Sequence, residues 1–293
     1  MKAPPWTTSV NVMKALLVGK NSFLGSHLLP ALAFPDVVAT GSKELDLSGI
    51  SKERVDSLFR EGKFSHLIVC AAVSDVNQCF FHQKASHAVN VDGLQLLFQS
   101  AKEFGVFPIF FSSDYVFGFE GKFFSETDQR KPNTIYGQQK LAIEEFLQTE
   151  FQDYLIFRTS KLMSKAAHQR NILFPILESL AKGKEVRCFV DQWITPVFVE
   201  DVANAINLCL KNRASGIYHL ATNTVFSRYE IARLLASHFA WKEDLIRPIR
   251  LRDLEFPEVR SHYNTISSEK MQRELGFRFT EIEESLEELK KLL

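Results

Sequence analysis

Short, wholly apolar runs alternate along this chain with longer stretches whose apolar residues recur every three or four positions. Residues 15–18 form the first run, which ends at Gly19. Residues 24–33 then read as a helix. Residues 37–40 predict a second strand and 67–73 a third, apolar one. Between 84 and 104, Ala88, Val91, Leu94, Leu97 and Ala101 keep helical spacing. Residues 109–111 predict another buried strand, 136–149 another helix and 154–157 another strand. A strand without polar alternation has both faces covered. The intervening helices can supply that cover, so the pattern predicts an α/β fold built on a doubly wound parallel sheet.

Beyond about residue 165 the pattern loosens. Residues 186–190 and 246–249 suit strands of a smaller cap, and 200–210 and 227–239 suit helices. Residues 217–220 suit a strand that returns to the main sheet. Thr280-x-x-Glu283 predicts a capping box that opens a final helix. Ile282, Leu286, Leu289 and Leu293 form its apolar face, and Glu287 and Lys291 lie on its solvated side. Residues 1–12 contain Pro4 and Pro5 and show no periodicity, so they predict a flexible extension before a fold that begins near Met13. Without repeats or a clear linker, the two parts are expected to interleave.

Lys plus Arg and Asp plus Glu each number 35, so the net charge is zero and a strongly basic nucleic-acid binder is not expected. An apolar content of 45% speaks against a disordered chain. No apolar run reaches the roughly 18 residues of a membrane span, and the N-terminus lacks the apolar core of a signal peptide. Cys70, Cys79, Cys188 and Cys209 lie far apart with no CxxC pair. They predict neither a zinc site nor a disulfide framework, and point to a reducing compartment, the cytoplasm. The histidines show no HxxxH or HxH spacing, so no metal ligands are assigned. The 26 Phe residues suit a large apolar core.

Three motifs carry candidate chemistry. Gly19-Lys20-Asn21-Ser22-Phe23-Leu24-Gly25 follows the first strand and opens a helix, as a pyrophosphate-binding glycine turn does. Ser22 stands where the usual spacing has a glycine, and adds a side chain where phosphates would approach. The second strand ends in Thr40-Gly41-Ser42-Lys43, with no acid until Glu44. A hydroxyl and a lysine there suit a 2′-phosphate, hence NADP(H) rather than NAD(H). The strongest motif is Ser112-Ser113-Asp114 at a strand end, with Tyr136 23 residues after Ser113 and Lys140 one helical turn further. A nearby ammonium lowers a phenol's pKa. With Ser113 on the same oxygen, this trio suits proton transfer to a carbonyl while a nicotinamide supplies hydride.

These motifs resemble the extended short-chain dehydrogenase/reductases, and within them the dTDP-4-dehydrorhamnose reductase family. The likeness runs through GKNSFLGSHL, CAAVSDV at 70–76, AVNVDG at 88–93, FFSSDYVF at 110–117, FRTS at 157–160, VDQWITP at 190–196 and RSHYNTISSEKMQRELGF at 260–277. It implies a Rossmann-type sheet over residues 13–165, completed by 195–221, and a substrate-binding part formed by 166–194 and 222–293. The catalytic residues it implies are Ser113, Tyr136, Lys140 and Asn90. Its implied NADP(H) contacts are Gly19, Ser22, Phe23, Leu24, Gly25, Ser42, Lys43, Asp46, Leu47, Ala71, Ala72, Val73, Asn90, Tyr136 and Lys140. Its implied contacts for a nucleotide-sugar substrate are Ser74, Val76, Ser113, Asp114, Tyr136, Lys161 and Arg260. Arg228-Tyr229 and Arg260 suit a diphosphate or base, with surface salt bridges as the alternative.

Three positions depart from the family pattern: Ser22, Lys161 where the reductases often carry Trp, and Arg260-Ser261 where Arg-Pro is expected. A 4,6-dehydratase would need an Asp-Glu pair where this chain has Asp114-Tyr115, so dehydration is not expected. The resemblance implies NADPH-dependent reduction of a 4-keto sugar nucleotide in deoxysugar biosynthesis, with a homodimer as one assembly. A second resemblance, to the regulatory β subunit of methionine adenosyltransferase, implies instead a non-catalytic NADP-binding protein with a catalytic partner subunit.

Overall fold

The computed structural model describes residues 13–118, 123–166 and 171–292; the expected extension 1–12 and Leu293 lie outside them. In chain order, β1 (Lys14–Val18), α1 (Phe23–Leu28), β2 (Asp36–Thr40), α2 (Lys52–Gly62) and β3 (His66–Val69) come first. They are followed by α3 (Val76–Phe81), α4 (Gln83–His87), α5 (Gly93–Glu103), β4 (Phe107–Ser113), α6 (Ile135–Glu150) and β5 (Leu155–Thr159). The remainder comprises β6 (Leu162–Met163), α7 (Phe174–Ala181), β7 (Val186–Phe189), β8 (Trp193–Ile194), β9 (Val197–Phe198), α8 (Val199–Lys211) and β10 (Gly216–Leu220). After these come β11 (Phe226–Ser227), α9 (Arg228–His238), β12 (Ile246–Ile249), β13 (Tyr263–Asn264), α10 (Glu269–Leu275) and α11 (Leu286–Leu289).

Six strands form one parallel sheet in the order β2-β1-β3-β4-β5-β10. Along β1, Ala15 and Leu17 pack with Leu24, Leu28, Val202 and Ile206 from α1 and α8. Leu16 and Val18 pack on the other face with Val55, Phe59, Leu97 and Phe98 from α2 and α5. Both faces are therefore covered, which is why these strands carry no polar alternation. Phenylalanine fills much of this space: Phe59, Phe98, Phe110 and Phe157 are fully buried. The strand order reverses at β1, opening a crevice between the ends of β1 and β3 where such sheets bind ligands. The strands predicted at 186–190 and 246–249 pair with each other as β7 and β12, and a third core gathers around α7, α9 and α11.

Four predicted elements differ in extent. The helix begun at 24 stops at Leu28, because Pro30 supplies no N–H and clashes with the preceding turn. The third strand ends at Val69, and residues 70–73 continue as loop. The 84–104 helix widens into a π turn over Ala88–Asp92. The final helix lacks its predicted cap: the Thr280 N–H and hydroxyl both donate to the Asp201 carboxylate, at 2.6 and 3.2 Å. Glu284, not Glu283, reaches back, to the Glu281 N–H, and short turns flank α11. Ile282, Leu286 and Leu289 are nonetheless buried as the pattern requires.

One buried ion pair joins sheet to helix. On β5, the Arg158 Nε and Nη2 donate to the two Glu144 oxygens of α6, at 2.9 and 2.7 Å, with both residues fully buried. His219 of β10 completes the set. Burial, with Arg158 beside it, pushes its pKa down to about 3. The ring is therefore neutral: Nδ1–H donates to the Ser267 carbonyl, so Nε2 accepts from Arg158 Nη1 at 3.2 Å. Removing Arg158 strands a buried carboxylate that Arg130 Nη1, at 3.3 Å from Glu144 Oε2, offsets only in part. Arg158→Met is therefore expected to lower the urea-unfolding free energy by about 3–5 kcal/mol. A loss below about 1 kcal/mol, the range of exposed pairs, would show that the pair does not anchor α6.

Candidate active site

The glycine turn is set by backbone contact. Gly19 has φ +101°, and a Cβ there would lie 2.5 Å from the Ala71 nitrogen. A Cβ on Gly25 would lie 2.2 Å from the Gly19 carbonyl oxygen. Only glycine lets the turn close this tightly. Ser22 does not obstruct it: its Oγ accepts the Gly25 N–H at 2.9 Å and caps α1. The departure at position 22 thus exchanges a glycine for a helix cap.

Around this turn lies a cleft of about 240 Å³. Ser22, Phe23, Leu24 and Ala72 line it together with Ser113, Asp114, Tyr136, Lys140, Ser74, Val76 and Lys161. It adjoins a second cup of about 260 Å³, which shares Ser74, Val76, Tyr115 and Lys161 and adds Asp75, Gln192, Arg228, Phe256 and Arg260. Lys161, Arg228 and Arg260 thus bring three cations to one wall. Arg228 Nε is buried there without a hydrogen-bond partner. Arg260 donates to Asn77 of α3 and lies over the Phe256 ring, 5.2 Å from its centroid.

The predicted trio converges. β4 ends at Ser113 and α6 begins at Ile135, with Thr134 capping the Gly137 N–H at 3.1 Å. Ser113 and Tyr136 line the same cleft, and the Ser113 Oγ–H donates to Asp114 Oδ1 at 2.6 Å. Lys140 Nζ donates to the Phe111 carbonyl at 2.8 Å and lies 5.8 Å from the Tyr136 ring centroid. Lys140 was expected to lower the Tyr136 pKa. Instead, burial pushes the phenol above its ordinary range, Asp114 adds to the rise, and the Ser113 hydroxyl opposes it. Burial likewise pushes Lys140 down to about 8 and Asp114 up to about 6. Lys161 and Arg228 are lowered, chiefly by burial.

Other predicted residues lie at or beyond the edge of the cleft. Asn90 is buried in the π turn. Its Oδ1 accepts the Val73 N–H at 2.8 Å, and its Nδ2 donates to the Val73 carbonyl and to Gln139 Oε1, at 2.9 and 2.7 Å. It clamps the loop that passes beneath the cleft. Gln139, which the sequence reading passed over, donates onward to Ser86 at 2.9 Å. Its one signal was a second amide within the Tyr-Lys segment. Ser42 and Lys43 are exposed in the turn after β2. The nearby Glu44 carboxylate is engaged by the Gly41 N–H at 2.8 Å and Lys20 Nζ at 2.7 Å. Asp46 accepts from the Ser48 N–H and hydroxyl, and Leu47 is buried beneath Gly93. Tyr115 and Gln192, also passed over, line the cup. Among the described residues no three His, Cys, Asp or Glu side chains converge as metal ligands, and no helix is long and apolar enough to cross a membrane.

NADP(H) fits this cradle. A Cβ would fill the space at the glycine turn, and Ser112 Oγ and Thr40 Oγ1 are buried there without partners. The strand order, the turn and the Ser-Tyr-Lys group together define a Rossmann-type protein of the extended short-chain dehydrogenase/reductase class. Within that class the chain belongs to the RmlD substrate binding domain family, whose model matches residues 13–293. It is 27% identical to a dTDP-4-dehydrorhamnose reductase of Mycobacterium tuberculosis, covering 87% of this chain and 85% of that one. It is 28% identical to the Escherichia coli dTDP-4-dehydrorhamnose reductase, over 89% and 91% of the two chains. The fold superposes with a TM-score of 0.86 on a Bacillus anthracis dTDP-4-dehydrorhamnose reductase solved in complex with NADP, at 24% identity over 96% and 99% of the chains.

Asp114 gives the site a pH signature. Its folded-state pKa lies above its ordinary value of 3.8, at about 6. Its contribution to stability is therefore fully present below pH 3.8 and lost as pH rises through 6. Asp114→Asn removes that dependence. The variant's melting temperature is expected to gain on wild type between pH 4.5 and 7, as read by differential scanning calorimetry. A constant offset would mean that Asp114 ionises as freely as a surface carboxylate.

Proposed function

We propose that the protein is an NADPH-dependent reductase of a 4-keto sugar nucleotide, of the dTDP-4-dehydrorhamnose reductase type, acting in deoxysugar biosynthesis. The observation that carries this reading is a single one: the cleft holding Ser113, Tyr136 and Lys140 opens directly into a cup with three cations. A diphosphate in the cup would present its sugar to the trio. Residues 13–165 with 195–221 would hold the cofactor, and 166–194 with 222–293 the nucleotide sugar. The four free cysteines support the cytoplasmic reading.

The chain's own groups divide the work. The glycine turn, Ala72 and Lys140 would hold NADPH, which supplies hydride when bound. Tyr136 keeps its proton at neutral pH because burial favours the neutral phenol. The Ser113 hydroxyl, which donates to Asp114 Oδ1 in the free site, would turn to the keto oxygen and polarise it before Tyr136 gives its proton to the developing alkoxide. Once the proton has left, Lys140 is the nearby cation that stabilises the phenolate. Arg228 and Arg260 neutralise the diphosphate.

Tyr136→Phe is expected to fold and to bind NADPH like wild type while losing about 10²–10⁴ in turnover, the usual worth of a positioned acid. Lys140→Met is expected to lose both turnover and NADPH affinity. NADPH absorbance is followed with dTDP-4-keto-6-deoxy sugar and, in parallel, other 4-keto sugar nucleotides. A wild type that binds NADPH, turns over none of them and matches Tyr136→Phe would defeat the enzyme reading. Lys43→Glu is expected to weaken NADPH more than NADH in fluorescence titrations. Equal weakening would remove Lys43 from the 2′-phosphate site.

A further inference from the structure

Between β12 and β13 the chain crosses the mouth of the cup as a loop tied down at both ends. The Leu251 N–H donates to Asp191 Oδ1 at 2.9 Å, and the Trp193 N–H donates to the His262 carbonyl at 2.7 Å. Phe256 and Arg260 of this loop line the cup. Glu258, between them in sequence, is not part of that lining. Its Oε1 accepts the Ile135 N–H at 2.7 Å, across 123 positions of sequence. Ile135 is the first residue of α6 and immediately precedes Tyr136. The second carboxylate oxygen of Glu258 is buried without a partner.

A second contact runs parallel to the first. Arg260 and Tyr115 line the same cup, and the Arg260 charge acts on the Tyr115 phenol. The Tyr115 ring packs edge-on against Tyr136 at 5.7 Å, and the Tyr115 carbonyl lies so close to Gly137 that a Cβ there would sit 2.1 Å from it. Both routes from the loop end on the first turn of the catalytic helix. An unpaired N–H at that turn would leave its orientation to fraying, and Glu258 removes that freedom.

We infer that residues 256–260 link anion binding in the cup to the setting of Tyr136, with Glu258 as the positioning residue. The inference rests on the nucleotide-sugar reading of the cup. An anion held by Arg260 steadies the loop, and the loop holds the first amide of α6 through Glu258. The Glu258 bond needs an acceptor and not a charge, so Glu258→Gln keeps it and Glu258→Ala loses it. Misplacing a proton donor by about an ångström can cost up to about a hundredfold in rate.

Hydrogen exchange on the NADPH-loaded protein, with and without dTDP, tests this independently of turnover. In wild type and Glu258→Gln, dTDP is expected to slow exchange of the amides at 135–138; in Glu258→Ala it is not. In steady-state assays Glu258→Ala is expected to lose about ten- to a hundredfold in kcat, with KM and NADPH affinity nearly unchanged, and Glu258→Gln to restore the rate. The inference is overturned if dTDP leaves those wild-type amides unaffected, or if Glu258→Ala keeps their protection. It is also overturned if NADPH affinity and melting temperature fall together with kcat, which a merely structural role would produce. A wild type that turns over no 4-keto sugar nucleotide would defeat the reductase reading and leave the exchange result to decide this one.

Discussion

The Arg158–Glu144 pair is the constraint from which the active geometry follows. Tyr136 and Lys140 stand on α6, whereas Ser113 ends β4, and no regular hydrogen bonding joins a helix to a sheet. Apolar packing alone lets a helix slide or turn by small amounts, because it has no preferred direction. A bidentate guanidinium–carboxylate pair has one geometry. Glu144 lies one turn beyond Lys140, and Arg158 pairs in register with Ser112 next to Ser113. With the Lys140 ammonium on the Phe111 carbonyl, the ion pair ties α6 to the sheet within one turn of the candidate trio. Such pairs rarely add net stability, because desolvation offsets the attraction. Here the benefit lies in alignment.

Burial governs the rest of the site's electrostatics. Asp114, Tyr136, Lys140 and Lys161 are all displaced toward their neutral forms, and for each the withdrawal of water is the largest cause. For Tyr136 this inverts the simple picture of a lysine making a phenol acidic. The phenol is held in its protonated form. The unpartnered Arg228 Nε follows the same logic. A cation recessed in the cup is poorly hydrated, so an incoming phosphate gains more from it than from a surface arginine.

The strand layout was legible in the chain because parallel strands covered on both faces must be apolar runs, as at 15–18 and 109–111. The Tyr136–Lys140 pair was legible because helical spacing makes it a neighbour pair wherever the helix lies. What escaped reading depends on distant partners. Thr280 has a good capping sequence, but Asp201, 79 positions away, takes both its donors. The π turn at Ala88–Asp92 has apolar spacing that a regular helix also satisfies. Only the Asn90 bonds to Val73 and Gln139 show why the helix widens there. Helices α2, α3, α7 and α10 passed unread. Short helices such as α3 and α10 offer too few turns for periodicity to register, and α7 is apolar around much of its surface.

The position of β10 has a consequence for how the chain acquires its shape. This strand forms the sheet's edge beside β5, yet the cap's α7, β7 and β8 lie between the two in sequence. During synthesis β5 can pair with β4, but its edge toward β10 stays open until nearly sixty further residues have emerged. An apolar strand in that condition is a template for pairing with a neighbouring chain. A C-terminal cut early enough to remove α7, β7 and β8 also removes β10, the sixth strand of the sheet. The sheet and the segments between β5 and β10 are therefore interleaved in the chain.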